Sequence, residues 1–295
     1  MQNQQNKTPE LQKTLNLFRQ DIDQIDHQII ALLEERMEII SQVGELKKSN
    51  KEKFFIRSSR EADMIKSLLN KSSSKFPKST IANIWRKIIT AANMHEQPFS
   101  IALHNPKNIS DYAYLVREYY NDEISIISCD SANNVVSEIE KDIAQIGVFA
   151  LPKNDSDEGG EHWWVNLANN QKGIKIFAKI PFVKFLDDEK NHHDTELVAV
   201  GIKTPEKSNQ DNTLLCVELK SEISKQNLLV TLKDCGAEAK ILKTAQLTGV
   251  KGIKFYLVEI AGFFVEGDAV VEFIKNSDIK PYVKALGHYA TPILV

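Results

Sequence analysis

From Leu15 to Lys48 the chain runs LNLFRQDIDQIDHQIIALLEERMEIISQVGELKK, with no proline and a single late glycine, Gly44. Apolar residues recur at alternating steps of three and four, at Leu15, Phe18, Ile22, Ile25, Ile29, Leu32, Ile39, Val43 and Leu46. This spacing predicts one long helix with a continuous apolar stripe. Arg36 interrupts the stripe where a leucine belongs. A buried cation costs free energy unless an anion meets it, so Arg36 either bends out to solvent or awaits a negatively charged ligand. At about 100° per residue, Lys47 returns to within roughly 20° of Arg36, about 16 Å further along the axis. Two long side chains leaning across that gap leave room for one small dianion. Arg19 stands about 25 Å from Arg36 and roughly 100° off that face, so one ligand cannot touch all three cations from one helix. If Arg19 serves the same site it comes from a second copy, which points to an intertwined dimer. The stripe also suits a plain dimerisation coiled coil whose charges snorkel.

A chain of 295 residues is long enough for two or three small domains, each with its own core. Cys129, Cys216 and Cys235 are widely spaced and odd in number, which argues against a disulfide framework or a metal knuckle and fits a reducing cytosol. The opening MQNQQNKTPE is polar and lacks a signal peptide's apolar run. It reads as a disordered lead-in. No stretch approaches the roughly 18 consecutive apolar residues of a membrane span. Charge is unevenly spread: the first 97 residues hold 16 Lys+Arg against 12 Asp+Glu, the remainder 21 against 28. A mildly basic first region favours an anionic ligand, and the excess is too small for nucleic acid.

Beyond Lys48 the polar SNKEK breaks the heptad and reads as a loop. A second helix is expected from Ser58 and Ser59, both able to cap it, with Ile65, Leu68 and Leu69 on one face and Arg60 and Glu61 in its first turn. A linker, KSSSKFPKS, closes at Ser79 or Thr80 as the next cap. The third helix is expected to bury Ile81, Ile84, Trp85, Ile88, Ala91 and Ala92, ending beyond Glu96. Three helices of such unequal length do not make a compact monomer, so the long one is expected to pair with another copy of itself.

LFRQDIDQIDHQIIALLEER, VGELK, SREADM and IWRKIITAANMHE together resemble the all-helical class of chorismate mutases, over roughly residues 11 to 97. The resemblance implies that Arg36 and Arg60 clamp the carboxylates of chorismate and that Arg19 reaches in from the other subunit. It also implies that Lys47 bonds the ether oxygen and Glu61 holds the ring hydroxyl, with no cofactor or metal. Two positions depart from the pattern. Glu96 stands where many relatives have a glutamine donating to the ether oxygen, and a carboxyl donates only when protonated. Activity is then expected to favour mildly acidic pH, unless burial keeps Glu96 protonated at neutrality; the alternative is an exposed helix-end acid. Ala92 replaces a serine near the substrate carboxylate, one hydrogen bond fewer.

Residues 98–205 alternate strand and helix: SIALHN, DYAYLVREYYND, ISIISC, NNVVSEIEKD and IGVFALP. The order resembles the first lobe of prephenate dehydratase. KNDSDEGG replaces that family's glutamate-asparagine signature, the second lobe is missing, and Thr195, Glu196 and Leu197 stand for a Thr-Arg-Phe strand. An acid in the arginine's place is expected to repel prephenate, so dehydration is expected to be lost. His162, Trp163 and Trp164 read as packing anchors opening a helix. His192 and His193 lack metal-site spacing and read as solvated.

Residues 206–295 read strand, helix, strand, strand, helix, strand and resemble the ACT-type regulatory domain. Polar SEISKQN and TAQLTG replace the two turns that cradle phenylalanine in that family, so the region is expected to assist dimerisation instead. The whole is expected to be a multidomain α+β chain: a lead-in over 1–10, a three-helix mutase-like domain over 11–97, a truncated α/β domain over 98–205 and a βαββαβ domain over 206–295. The expected function is a cytoplasmic, homodimeric chorismate mutase acting on chorismate, without nucleic-acid or membrane partners. A bifunctional mutase/dehydratase and a non-catalytic regulatory subunit are the alternatives.

Overall fold

The apolar stripe folds into one helix, α1 (Lys7–Ser49), in the computed structural model, which describes residues 7–49, 55–73, 75–152, 162–185 and 195–295. Helix begins at Lys7, inside the stretch expected to be a disordered lead-in, because Pro9 and Glu10 suit a first turn. The rest of the lead-in and the loop at residues 50–54 lie outside the described residues. The chain divides into two units, Met1–Phe55 and Ile56–Val295. In the first, the stripe faces water: Phe18, Ile22, Leu32 and Leu46 are 59, 57, 64 and 66% exposed. A helix gains most of its stability by burying such a face, so this one presents an unsatisfied apolar surface.

The second unit opens with α2 (Ser58–Lys71) and α3 (Lys78–Glu96). Neither uses its expected serine or threonine cap. Arg57 and Pro77 occupy the cap positions without side-chain cap bonds, and Ser59 Oγ instead donates to the Glu206 carbonyl at 2.6 Å. The buried face of α3 is also turned from the expected one. Ala82, Arg86, Ile89, Thr90, Ala92 and Asn93 point inward, while Ile84 and Ala91 are exposed and Ile81, Trp85 and Ile88 only half-buried. Polar partners on α2 draw Arg86 and Asn93 inward at the expense of the more apolar side.

Next come β1 (Ser100–His104), α4 (Ser110–Tyr119), β2 (Ser125–Cys129), α5 (Ala132–Glu140) and β3 (Ile146–Ala150). Then follow α6 (Trp163–Ala168), β4 (Ile174–Ile180), β5 (Val183–Lys184) and β6 (Leu197–Ile202). The C-terminal stretch is β7 (Asp211–Lys220), α7 (Lys225–Asp234), β8 (Ala239–Ala245), β9 (Ile253–Ala261), α8 (Ala269–Lys275), β10 (Tyr282–Ala290) and β11 (Ile293–Leu294). This is the expected βαββαβ order, and Ser224, in the polar turn SEISKQN, caps α7 by accepting from the Asn227 amide.

Residues on both sides of the 205/206 boundary share one nine-stranded sheet, β2-β1-β3-β6-β4-β10-β7-β9-β8. The first three strands are parallel, β6 runs antiparallel between β3 and β4, and β7 to β10 form an antiparallel set. A single core also crosses the boundary, with Val135, Phe149, Trp164, Ile176 and Val200 joined by Leu214, Leu257 and Tyr289. Beneath α7 and α8 a second core gathers Val217, Leu228, Tyr256 and Val271.

The two halves of the sheet meet where β10 pairs with β4 in parallel through Gly287 and Ile176. Gly287 has φ +133°, and a Cβ there would lie 2.3 Å from the Ile176 carbonyl oxygen and 2.4 Å from its nitrogen. Both the conformation and the close approach require glycine. Gly287→Ala is therefore expected to lower stability by about 2–3 kcal/mol, read as a shift in the denaturant midpoint of the full chain.

Candidate active site

The six residues implied for the mutase fall in both units. On α1, Arg19 is exposed and donates to Asn16 Oδ1 at 3.3 Å. Arg36 is half-buried, and one of its terminal nitrogens, Nη1, is shut off from water without a hydrogen-bond partner. Burial pushes its guanidinium below the ordinary arginine value, the mark of a cation lacking its counter-charge. Lys47, in the last turn of α1, donates to the Phe55 carbonyl at 3.4 Å and lies 5.3 Å from the Phe55 ring centroid.

In the second unit, Arg60 is exposed on the first turn of α2 and Glu96, the last residue of α3, is half-buried. Glu61 is 7% exposed and engaged at both oxygens: Arg86 donates to Oε2 at 2.7 Å and Asn93 to Oε1 at 2.9 Å. Burial pushes its carboxyl up, but the Arg86 charge, the bonds from Asn93 and Arg86 and the field of Lys203 outweigh this and leave it below the ordinary value. The Arg86 guanidinium lies 4.6 Å from the Tyr119 ring centroid, and its Nη1 is 3.4 Å from the Tyr119 hydroxyl. Arg86 and Asn93 are missing from the sequence-derived site. Their signal was a spacing of seven residues, which puts both on one helix face.

The turn carrying Arg60 and Glu61 is tied to the segment after β6. Arg57 pairs with Glu206 at 2.9 Å, and Lys203 bonds the Ile56 carbonyl at 2.7 Å. His288 Nε2 lies 2.7 Å from the Glu206 carbonyl. These contacts set the entry angle of α2 and so the direction of its first-turn side chains.

Glu196 does not present the free negative charge expected to repel prephenate. It is 9% exposed, 3.0 Å from Lys179 Nζ, and also paired with Lys184. Lys179 lies 3.8 Å from Glu259, which is bonded by Tyr289 and by Lys240 at 2.6 Å. Burial pushes Lys179 below the ordinary lysine value, against the pull of Glu259. Trp163 and Trp164 are buried as packing anchors: Trp163 stacks on Phe149 at 5.0 Å and donates to the Ala150 carbonyl at 2.8 Å. His192, His193 and KNDSDEGG lie outside the described residues. No helix among the described residues is long and apolar enough to cross a membrane.

The Glu61 pair has a pH signature. With the folded value depressed, its stabilisation is complete above the ordinary glutamate value and is lost as pH falls through the lower folded one. Acid titration of the denaturant midpoint should show this loss, and Glu61→Gln should remove it. Arg86→Met, which strands a buried carboxylate, should cost about 3–5 kcal/mol at neutral pH.

Residues 18–97 match the family model of chorismate mutase type II. The bifunctional chorismate mutase/prephenate dehydratase of Aquifex aeolicus (strain VF5) is 28% identical over 170 residues, covering 56% of this chain and 46% of that protein. Its counterpart in Pseudomonas aeruginosa is 24% identical over 154 residues, covering 50% and 41%. The chain thus spans less than half the length of these relatives, and both alignments are longer than the first 97 residues, so they take in part of the α/β region. An X-ray structure of prephenate dehydratase from Streptococcus mutans aligns with TM-score 0.45 at 18% identity, over 67% of this chain and 100% of that one. Residues 18–97 are thus similar to the chorismate mutase type II family, and the chain as a whole is similar over part of its length to bifunctional chorismate mutase/prephenate dehydratases.

Proposed function

We propose that the protein is a chorismate mutase, converting chorismate to prephenate. The reading is carried by the family match over residues 18–97, within which Arg19, Arg36, Lys47, Arg60, Glu61 and Glu96 all fall. The reaction is a concerted shift of an enolpyruvyl side chain. The protein's task is to hold a floppy dianion in its compact reactive conformer and to place positive charge where the breaking ether bond develops negative charge. Arg36 and Arg60 clamp the two carboxylates, Lys47 donates to the ether oxygen with Glu96 beside it, and Glu61 accepts from the ring hydroxyl. Glu61 keeps lone pairs for that bond beyond those used by Arg86 and Asn93. The bare Nη1 of Arg36 supports its assignment as an anion ligand.

The active form is a homodimer in which α1 covers its apolar stripe with a second copy and Arg19 crosses to the partner's site. The exposure of Phe18, Ile22 and Leu32 supports this. Domain limits of 11–97, 98–205 and 206–295 belong to the same reading, the last two sharing a sheet.

One observation favours a second activity: the alignments with bifunctional relatives, 170 and 154 residues long, include residues outside the mutase-like region. Glu196 in the arginine's place, committed to Lys179 and Lys184, weighs against dehydration. Incubation with prephenate should yield no phenylpyruvate, and its appearance would establish the bifunctional enzyme.

Loss of chorismate's ultraviolet absorbance, with prephenate as product, tests the main reading. Arg36→Leu should abolish turnover while stabilising the helix; unchanged turnover, or none in the folded parent protein, would leave a coiled coil or regulatory subunit. Glu96→Gln, which puts a neutral amide donor at that position, should raise turnover severalfold. Ile22→Asp with Ile29→Asp should give a monomer by sedimentation and remove activity with it.

A further inference from the structure

The pairing of β10 with β4 is short. It rests on Gly287 and Ile176, with a bulge on each strand beside it, at Ala285/Gly287 and at Ile176/Ala178. Beside this pair lies a cleft of about 750 Å³, lined by Lys175 of β4 and by Tyr282, Lys284, Ala285 and Gly287 of β10. That volume suits a small-molecule ligand. Lys175 reaches across and donates to the Ala285 carbonyl at 2.6 Å. On the same wall Lys284 pairs with Glu266 at 3.0 Å. Phe264 and Tyr282 supply aromatic surface, and Tyr282 is 60% exposed.

The charges at this cleft do not balance. Lys175 meets a carbonyl rather than a carboxylate, and Glu266 is already paired with Lys284. Two ammonium groups therefore share one acid, and Lys175 has two further N–H donors beyond the one it uses. Burial lowers the Lys175 ammonium from its ordinary value, the penalty that an anionic partner relieves. One unmatched positive charge beside aromatic walls calls for one negative charge on a compact apolar body. We propose that the cleft between β4 and β10 binds a small organic monocarboxylate, its carboxylate on Lys175 and its body against Phe264 and Tyr282.

Ligand-observed saturation-transfer NMR on the full chain tests this, with benzoate as probe, benzamide as neutral isostere and inorganic phosphate as an anion without an apolar body. Benzoate should bind, with benzamide and phosphate at least tenfold weaker. Lys175→Gln should weaken benzoate tenfold or more. Glu266→Gln, which frees Lys284, should strengthen it severalfold. Glu266 is exposed, so this second variant keeps the test open if Lys175→Gln does not fold. Arg36→Leu should leave benzoate binding unchanged, which separates the cleft from the proposed mutase arginines. Equal binding of benzoate and benzamide, phosphate binding as well as benzoate, or benzoate affinity unmoved in folded Lys175→Gln or Glu266→Gln would overturn the proposal. Loss of benzoate binding in Arg36→Leu would overturn it too.

Discussion

The nine-stranded sheet stays continuous across a seam where β10 and β4 approach closely enough to pair only at Gly287 and Ile176. A parallel pair so short supplies little ladder bonding, so other contacts must hold the halves together. Side chains do this at both ends. Lys175 bonds the Ala285 carbonyl on one side of that pair. At the other end Lys179 on β4 lies between Glu196, just before β6, and Glu259 on β9, with Tyr289 of β10 bonded to the same Glu259. The buried charges are tolerated because each has an opposite within reach. The shared core and the lysines that cross it supply the contacts that the short strand pair does not.

A second buried network sets the helices. Glu61 cannot be left unpaired at its depth, and Arg86 and Asn93 satisfy it from α3. To do so they take the inward face of α3, and Ile84 is displaced to the outside. Satisfying a buried carboxylate outweighs burying one more isoleucine, because the cost of an orphaned charge exceeds that of an exposed aliphatic side chain. The same network favours the ionised form of Glu61 and fixes its direction.

Glu196 illustrates how far a residue's meaning depends on its neighbours. In isolation an acid at that position is a negative charge facing a prospective anion. Between Lys179 and Lys184 it is a counter-ion whose charge is spent inside the sheet. It therefore does not present a free negative charge.

Periodicity by itself determined the long helix from the Leu15 stripe, the alternation of strand and helix after residue 98, the closing βαββαβ order and the packing role of Trp163 and Trp164. Each rests on local repeats or on residue types whose burial is nearly obligatory. Arg36 was legible because a charge inside an apolar stripe stands out, and Lys47 because helix spacing returns it to the same side, whereas Arg19 and Arg60 entered through the resemblance. Only the tertiary structure decided which face of α3 turns inward, that Ser59 bonds Glu206 instead of capping α2, that residues on both sides of 205 share a sheet, and where the cleft opens. Those features depend on contacts such as Ser59 with Glu206 and Lys175 with Ala285, which join segments far apart in the chain. No local pattern encodes them, because the free energy that selects them comes from polar groups finding partners only after the chain has folded.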